Sequence, residues 1–172
     1  MPHSHLPVFE PLPAAQAQFL RERVEQVSPL SLHLRSLRER LLSIGGQEVV
    51  LPRYADFQPW KRTRDDYYSA AILARGLAWS GVEASQEIGT SNACHLNVAK
   101  GHLAGRGAIA TGYALADDGL WREHSWLFGS RAAETPLLIE TTSLWLFYYG
   151  CVLTPDEGRR FVRDELGPDS MP

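Results

Sequence analysis

The stretch GAIATGYALADDGLWREHSWLFGS, residues 107–130, decides how this chain is read. Before it, apolar residues recur at helical spacing; from Gly107 onward they fall in short runs rich in aromatic and β-branched residues. Two such runs flank Ala116-Asp117-Asp118-Gly119, a turn sequence, so the stretch is expected to form a β-hairpin. A third run, PLLIETTSLW at residues 136–145, lies beyond Gly129-Ser130 and has the same character. Short strands after a helical first half give an α+β fold with a small antiparallel sheet.

Working outward from the hairpin, the helical half comes first. In AAQAQFLRERVEQV (14–27), Phe19, Leu20 and Val24 mark one face. In SPLSLHLRSLRERLLSIGG (28–46), Leu30, Leu34, Leu37, Leu41 and Leu42 mark another, which Gly45-Gly46 stops. A short apolar run and a proline-broken loop follow in QEVVLPRYADFQPW (47–60). A third helix is signalled by Thr63 as N-cap, Asp65 and Asp66 in the first turn, and YYSAAILARGLAW (67–79) as buried face before Ser80-Gly81. A fourth, ACHLNVAKGHLAG (93–105), is preceded by three good capping residues, Thr90, Ser91 and Asn92. After the sheet, TPDEGRRFVRDELG (154–167) opens with Thr154, Pro155 and Glu157, the pattern of a capping box with proline at the first helical position.

The expected organisation is one domain over residues 1–172. An extended arm (1–13, with four prolines) precedes a helical lobe (14–105), an antiparallel sheet (106–150) and a C-terminal helix (154–167). Hydrophobic residues at 44% and charged ones at 22% are ordinary globular values, and 172 residues suffice for a sizeable core. The 17 basic and 20 acidic residues are dispersed, with a formal net charge of -3, so no nucleic-acid footprint is present. No apolar run approaches the roughly 20 residues of a membrane span, and the N-terminus lacks the pattern of a secretion signal. His3 and His5 read as a frayed end rather than a metal tag. Two cysteines cannot build a disulfide scaffold, which points to a reducing cytoplasm.

Chemistry converges on one of those cysteines. A lone cysteine is most often an inert core thiol, and Cys151 reads that way. Cys94 stands at the expected start of a helix, where unpaired N–H groups and the macrodipole favour an anion and lower a thiol's pKa. The same N–H groups can receive a developing oxyanion. Among the six histidines, His95 is next in sequence, but neighbours on a helix point about 100° apart. His33 and His102 fall on amphipathic helices. His124 lies mid-strand on one face with Leu120, Arg122, Trp126 and Phe128, where an imidazole needs a partner. Glu140 is the lone acid in a strand of Leu, Ile and Thr, costly unless paired. If the two strands are neighbours, Glu140 would orient His124, and His124 would activate Cys94. Asn92 is a candidate oxyanion donor or a plain cap, Gln86 a second candidate donor, and His95 a candidate secondary polar contact in the cleft. Trp121, Trp126, Trp145, Tyr148 and Tyr149 crowd the sheet; most are expected in the core, with Trp126 a candidate cleft wall.

With the helix-borne Cys94, the strand TGYAL (111–115), the strand HSW (124–126) and the strand ending IETT (139–142), the chain resembles the transglutaminase-like branch of the papain-like cysteine-enzyme superfamily. The resemblance covers residues 90–145, about a third of the chain, with 30 residues from Cys94 to His124 and 16 from His124 to Glu140. Glu140 stands where that family usually has Asp, and Cys94 opens the run CHLN (94–97), for which the family sets no firm expectation. The resemblance implies a cysteine hydrolase or acyltransferase with no cofactor, acting on a small-molecule or peptide amide, ester or thioester. Two other classes remain open. One is a zinc site built from Cys94, His124 and Glu140, which no C-x-x-C or H-x-x-x-H pair supports. The other is an inactive binding module of the same fold. Substrate and oligomeric state are not written in the residues.

Overall fold

Helix α1 (Ala14–Val27) buries Leu20 and Val27, and α2 (Leu32–Ile44) turns Leu34, Leu37 and Leu41 into the core. Full burial of each such leucine contributes about 1.5–3 kcal/mol. Ser31 caps α2 by accepting from the Leu34 N–H at 3.2 Å, and Gly45 and Gly46 end it with positive φ. The computed structural model describes residues 6–53, 64–130 and 136–170. The expected cap Thr63 and the pair His3/His5 lie outside them. In the arm, Leu6 and Phe9 pack against the core.

The remaining helices are α3 (Arg64–Arg75), α4 (Cys94–Leu103) and α5 (Pro155–Leu166). The start of α5 is the capping box the sequence indicates: the Thr154 hydroxyl accepts from the Glu157 N–H, and the Glu157 carboxylate accepts from the Thr154 N–H. The strands are β1 (Glu48–Val49), β2 (Leu77–Ser80), β3 (Ser85–Gln86), β4 (Ala108–Leu115), β5 (Leu120–Ser130), β6 (Pro136–Glu140) and β7 (Phe147–Val152). The protein is a mixed α+β fold with one curled, seven-stranded sheet, ordered β2-β7-β4-β5-β6-β3, with β1 paired to β5.

Four expectations are corrected here. Residues 14–105 are not purely helical: they supply β1, β2 and β3. The Leu77–Trp79 segment does not continue α3, because the chain turns at Gly76 and Leu77–Ser80 pairs with β7. Neither is the sheet wholly antiparallel, since β1–β5 and β3–β6 are parallel pairs. Its last strand also runs on to Val152.

The β4–β5 hairpin is antiparallel from Ala108↔Phe128 to Leu115↔Trp121. Period-2 alternation then splits β5 between two environments. Trp121 and Leu127 join the main core with α2, α3, α4 and α5 residues. On the opposite face Trp126 packs with Tyr148, Leu138, Ala110 and Ala114 in a second, aromatic cluster. The small side chains of β4 make room for that cluster, and two glycines take the principle to its limit. Gly112 faces Gly150 across β4–β7, and a Cβ on Gly112 would strike the Tyr149 carbonyl. A Cβ on Gly150 would come within 2.7 Å of the Trp126 ring.

Candidate active site

Register places the acid and the base. In the β5–β6 ladder the pairs run Leu127↔Ile139, Phe128↔Leu138 and Gly129↔Leu137. Extended by one residue, Glu140 stands opposite Trp126 and therefore diagonal to His124, on the same face. Diagonal neighbours are about 7–8 Å apart, within reach of long side chains only. Glutamate's extra methylene spans that offset. His124 Nε2 lies 2.7 Å from Glu140 Oε2, and since an ionised carboxylate only accepts, Nε2 carries the proton. His124 is 1% exposed and Glu140 0%.

A buried carboxylate must have its lone pairs satisfied. Glu140 Oε2 also accepts from the Tyr148 hydroxyl at 3.0 Å. Its Oε1 accepts from the Thr142 N–H at 2.7 Å and the Thr142 hydroxyl at 2.9 Å. Burial pushes the Glu140 pKa up, but the His124 and Thr142 hydrogen bonds outweigh it and leave it below the usual carboxylate range. Burial and the Glu140 charge together drive the Tyr148 hydroxyl far upward, so it stays a donor. The sequence reading did not identify Thr142 or Tyr148 as partners of the acid. Thr142 has a local signal, since a Thr two residues after an acid can close a small turn on it; Tyr148 has none.

Cys94 is the first residue of α4 and is partly exposed. Its thiol is electrostatically coupled to the imidazoles of His124 and His95. Because Glu140 takes Nε2, the ring nitrogen left for exchange with the thiol is Nδ1. Burial opposes the thiolate, yet the hydrogen bonds from His124 and His95 bring the Cys94 pKa down to about 5. Burial likewise opposes the imidazolium, while hydrogen bonds to Cys94 and Glu140 raise His124 to about 9. The two shifts point the same way, to a thiolate–imidazolium pair near neutral pH. The N-cap is Ala93, which offers no side-chain cap, and Asn92 adopts a left-handed φ of 55°. Contrary to expectation, none of Thr90, Ser91 and Asn92 caps α4.

The site opens into a cleft of about 500 Å³ that Cys94, His124, Asn92, Ile88, Arg122 and Trp145 help to line. Asn92 is thus brought to the site. Gln86 is not: on β3 it is exposed, donates to the Thr142 carbonyl at 3.1 Å and lines no part of this cleft. Trp126 is fully buried behind His124, their ring centroids 6.2 Å apart, and belongs to the core instead. Trp145 forms the aromatic wall, 5.0 Å from the His124 ring. One wall is pinned by Asn97, on α4 one turn beyond Cys94. Its Oδ1 accepts from the Thr90 N–H at 3.0 Å, and its Nδ2 donates to the carbonyls of Thr90 at 2.8 Å and Thr141 at 3.3 Å. A Cβ on Gly89 would stand 2.6 Å from the Asn97 carboxamide, so that wall passes close only because residue 89 is glycine.

Compared with protein-family models, curated proteins and solved structures, the chain matches none. What the site can do must come from its own geometry. Glu140 takes Nε2 of His124, which leaves Nδ1 for exchanging a proton with Cys94. Among the described residues no three His, Cys, Asp or Glu side chains are grouped to hold a metal. No described helix is long and apolar enough to cross a membrane.

Proposed function

We propose that this protein is a cysteine hydrolase or acyltransferase of the transglutaminase-like, papain-like kind, acting on an amide, ester or thioester through an acyl-enzyme on Cys94. The observation that carries this reading is a half-open thiol whose pKa the neighbouring imidazole lowers, with a buried, fully hydrogen-bonded carboxylate on that imidazole's Nε2. The order of elements supports the fold resemblance: nucleophile at a helix start, base on a long central strand, acid at the end of its neighbour.

The chemistry follows from the charges. The Cys94 thiolate attacks the carbonyl carbon, forming the C–S bond as the carbonyl electrons move to oxygen. The first-turn N–H groups of α4, with no side-chain cap competing, receive the oxyanion, and Asn92 lies in the same cleft. As the tetrahedral intermediate collapses, His124 gives its Nδ1 proton to the departing nitrogen, oxygen or sulfur. Glu140 holds the ring in the tautomer that makes this possible. Water or an amine then attacks the thioester, surrenders a proton to His124, and releases the Cys94 thiolate. Water is always present, so hydrolysis is the default outcome.

Intact-mass analysis after exposure to a library of activated esters and thioesters tests the reading. A trapped acyl adduct that maps to Cys94 is expected. Cys94→Ala and His124→Ala should each abolish turnover while the fold persists, and near wild-type turnover in either removes that residue from the mechanism.

A further inference from the structure

His95 has no part in the relay, yet both of its ring nitrogens face polar partners. Its Nδ1 lies 2.8 Å from Ser125 Oγ. Ser125 donates its own proton to Thr111 Oγ1 at 2.9 Å, and Thr111 donates onward to the His124 carbonyl at 3.5 Å. With its hydrogen already committed, Ser125 can only accept from His95, so Nδ1 carries a proton. At the other end of the ring, Nε2 lies 3.4 Å from Glu123 Oε1. A bare nitrogen lone pair facing a carboxylate is repelled; a protonated one is attracted. Both ring nitrogens thus face acceptors, the environment of an imidazolium. Around the ring stand Glu123 and Ser125 from β5 and the apolar Phe161 ring from α5, centroids 5.9 Å apart, and the ring is electrostatically coupled to Cys94 on its own helix.

We propose that Cys94 works between two imidazoles, with His95, held as a cation by Ser125 and Glu123, acting as a second and non-transferring partner of the thiolate. This rests on the Cys94 nucleophile reading and deepens it. His124 is consumed as a proton donor during each acylation and is then neutral. His95 is held by the Ser125 hydroxyl and the Glu123 charge rather than by Glu140, so it is not the group that hands a proton to the leaving atom, and its charge stays beside the sulfur throughout. When the second nucleophile attacks, sulfur is expelled as a thiolate already offered a counter-charge. A thiol of low pKa is a better leaving group, so the thioester is poised for rapid deacylation. A single residue pair in sequence, Glu123-His124, therefore serves the sulfur from both sides: His124 directly and Glu123 through His95.

The test is the pH profile of iodoacetamide alkylation on the full-length chain, with the modified residue located by peptide mapping. Cys151 is buried and reports separately. His95→Gln should move the Cys94 inflection up by about one pH unit and slow alkylation at about pH 4, below both inflections, about tenfold, with His124 untouched. Glu123→Gln should move it in the same direction. Simple removal of a negative charge near a thiolate would move it down, so the sign separates a grip on His95 from a through-space effect. An unmoved inflection in a folded His95→Gln protein overturns the proposal. If that variant does not fold, an unmoved or lowered inflection in Glu123→Gln overturns it instead. A wild-type inflection at an ordinary thiol's pH of ~8.5 would overturn the nucleophile reading itself, whereas a low wild-type inflection with no response at residue 95 sinks only the role of His95.

Discussion

Replacing Glu140 with Gln is the sharpest probe of the relay, because the four hydrogen bonds to the carboxylate dictate how the amide must sit. Oε1 receives two donors from Thr142, one of them a backbone N–H that cannot turn away. The carbonyl oxygen of the introduced carboxamide must therefore occupy that side, leaving its NH2 group facing His124 and Tyr148. The Tyr148 hydroxyl can rotate to accept. His124 can comply only by switching tautomer, so that Nε2 accepts and Nδ1–H points at the thiol. In that state the ring cannot take the thiol proton. It has also lost the adjacent negative charge while keeping its burial, so its pKa should fall from about 9 and that of Cys94 should rise from about 5. Turnover should drop about 10²–10⁴-fold. Stability should fall by about 1–3 kcal/mol, the cost of one poorly satisfied buried group. Thermal unfolding checks the fold, and the alkylation profile on either side of neutral pH checks the ion pair. Glu140→Asp should keep the charge but fall short of the diagonal reach, recovering only part of the activity. A folded Glu140→Gln protein whose Cys94 still alkylates as fast at pH 6 as wild type would refute the orienting role.

Further outcomes are expected. The rate of acylation should be bell-shaped in pH: it falls below about 5 as the Cys94 thiolate takes up a proton and above about 9 as His124 loses the one it must donate. Trp145→Ala should raise KM with a small change in melting temperature, whereas Trp126→Ala should cost about 3–5 kcal/mol, seen in denaturant melts; the reverse pattern would exchange their roles. Asn97→Ala removes three hydrogen bonds that tie α4 to the 89–90 wall and to the end of β6. It should lower stability by about 1–3 kcal/mol and speed proteolysis between residues 87 and 92, and protection equal to wild type would disprove the clamp. Gly112→Ala drives a methyl into the Tyr149 carbonyl and should destabilise the sheet by about 3 kcal/mol or more, measured by the shift in melting temperature.

Much of the site's geometry could be read from residues because it depends on period and parity. Alternation along β5 sets His124 opposite in facing to Glu123 and Ser125, and a lone acid in an apolar strand announces a buried partner. The capping box at Thr154 is local chemistry and survives any tertiary context. What escapes a sequence reading depends on packing between distant segments. LAWS at 77–80 is too short and apolar to tell from the last turn of a helix, and only its partner β7 makes it a strand. The two-residue strands β1 and β3 have no period to detect. Asn92 is a good cap by type, but its positive φ is set by how the chain enters α4. Trp126 and His124 share a face, which suggests a cleft wall; that face is instead covered by Tyr148 and Leu138, and the wall comes from Trp145 in the β6–β7 connection. The grip of Ser125 and Glu123 on His95 joins residues 30 apart and leaves no mark on either stretch.

The diagonal step from His124 to Glu140 also limits how such a site can drift over generations. On a two-sided strand an acid can be moved only by two residues at a time, since a shift of one carries it through the sheet to the other face. Positions 139 and 141 are thus closed to it, and position 142 is already occupied in holding the carboxylate. Position 138 would carry the acid further from His124, into the aromatic cluster. Variation in the acid therefore has one open coordinate, chain length at residue 140, so exchange between Asp and Glu is the substitution to look for among descendants of this chain, coupled to small changes where β5 and β6 part.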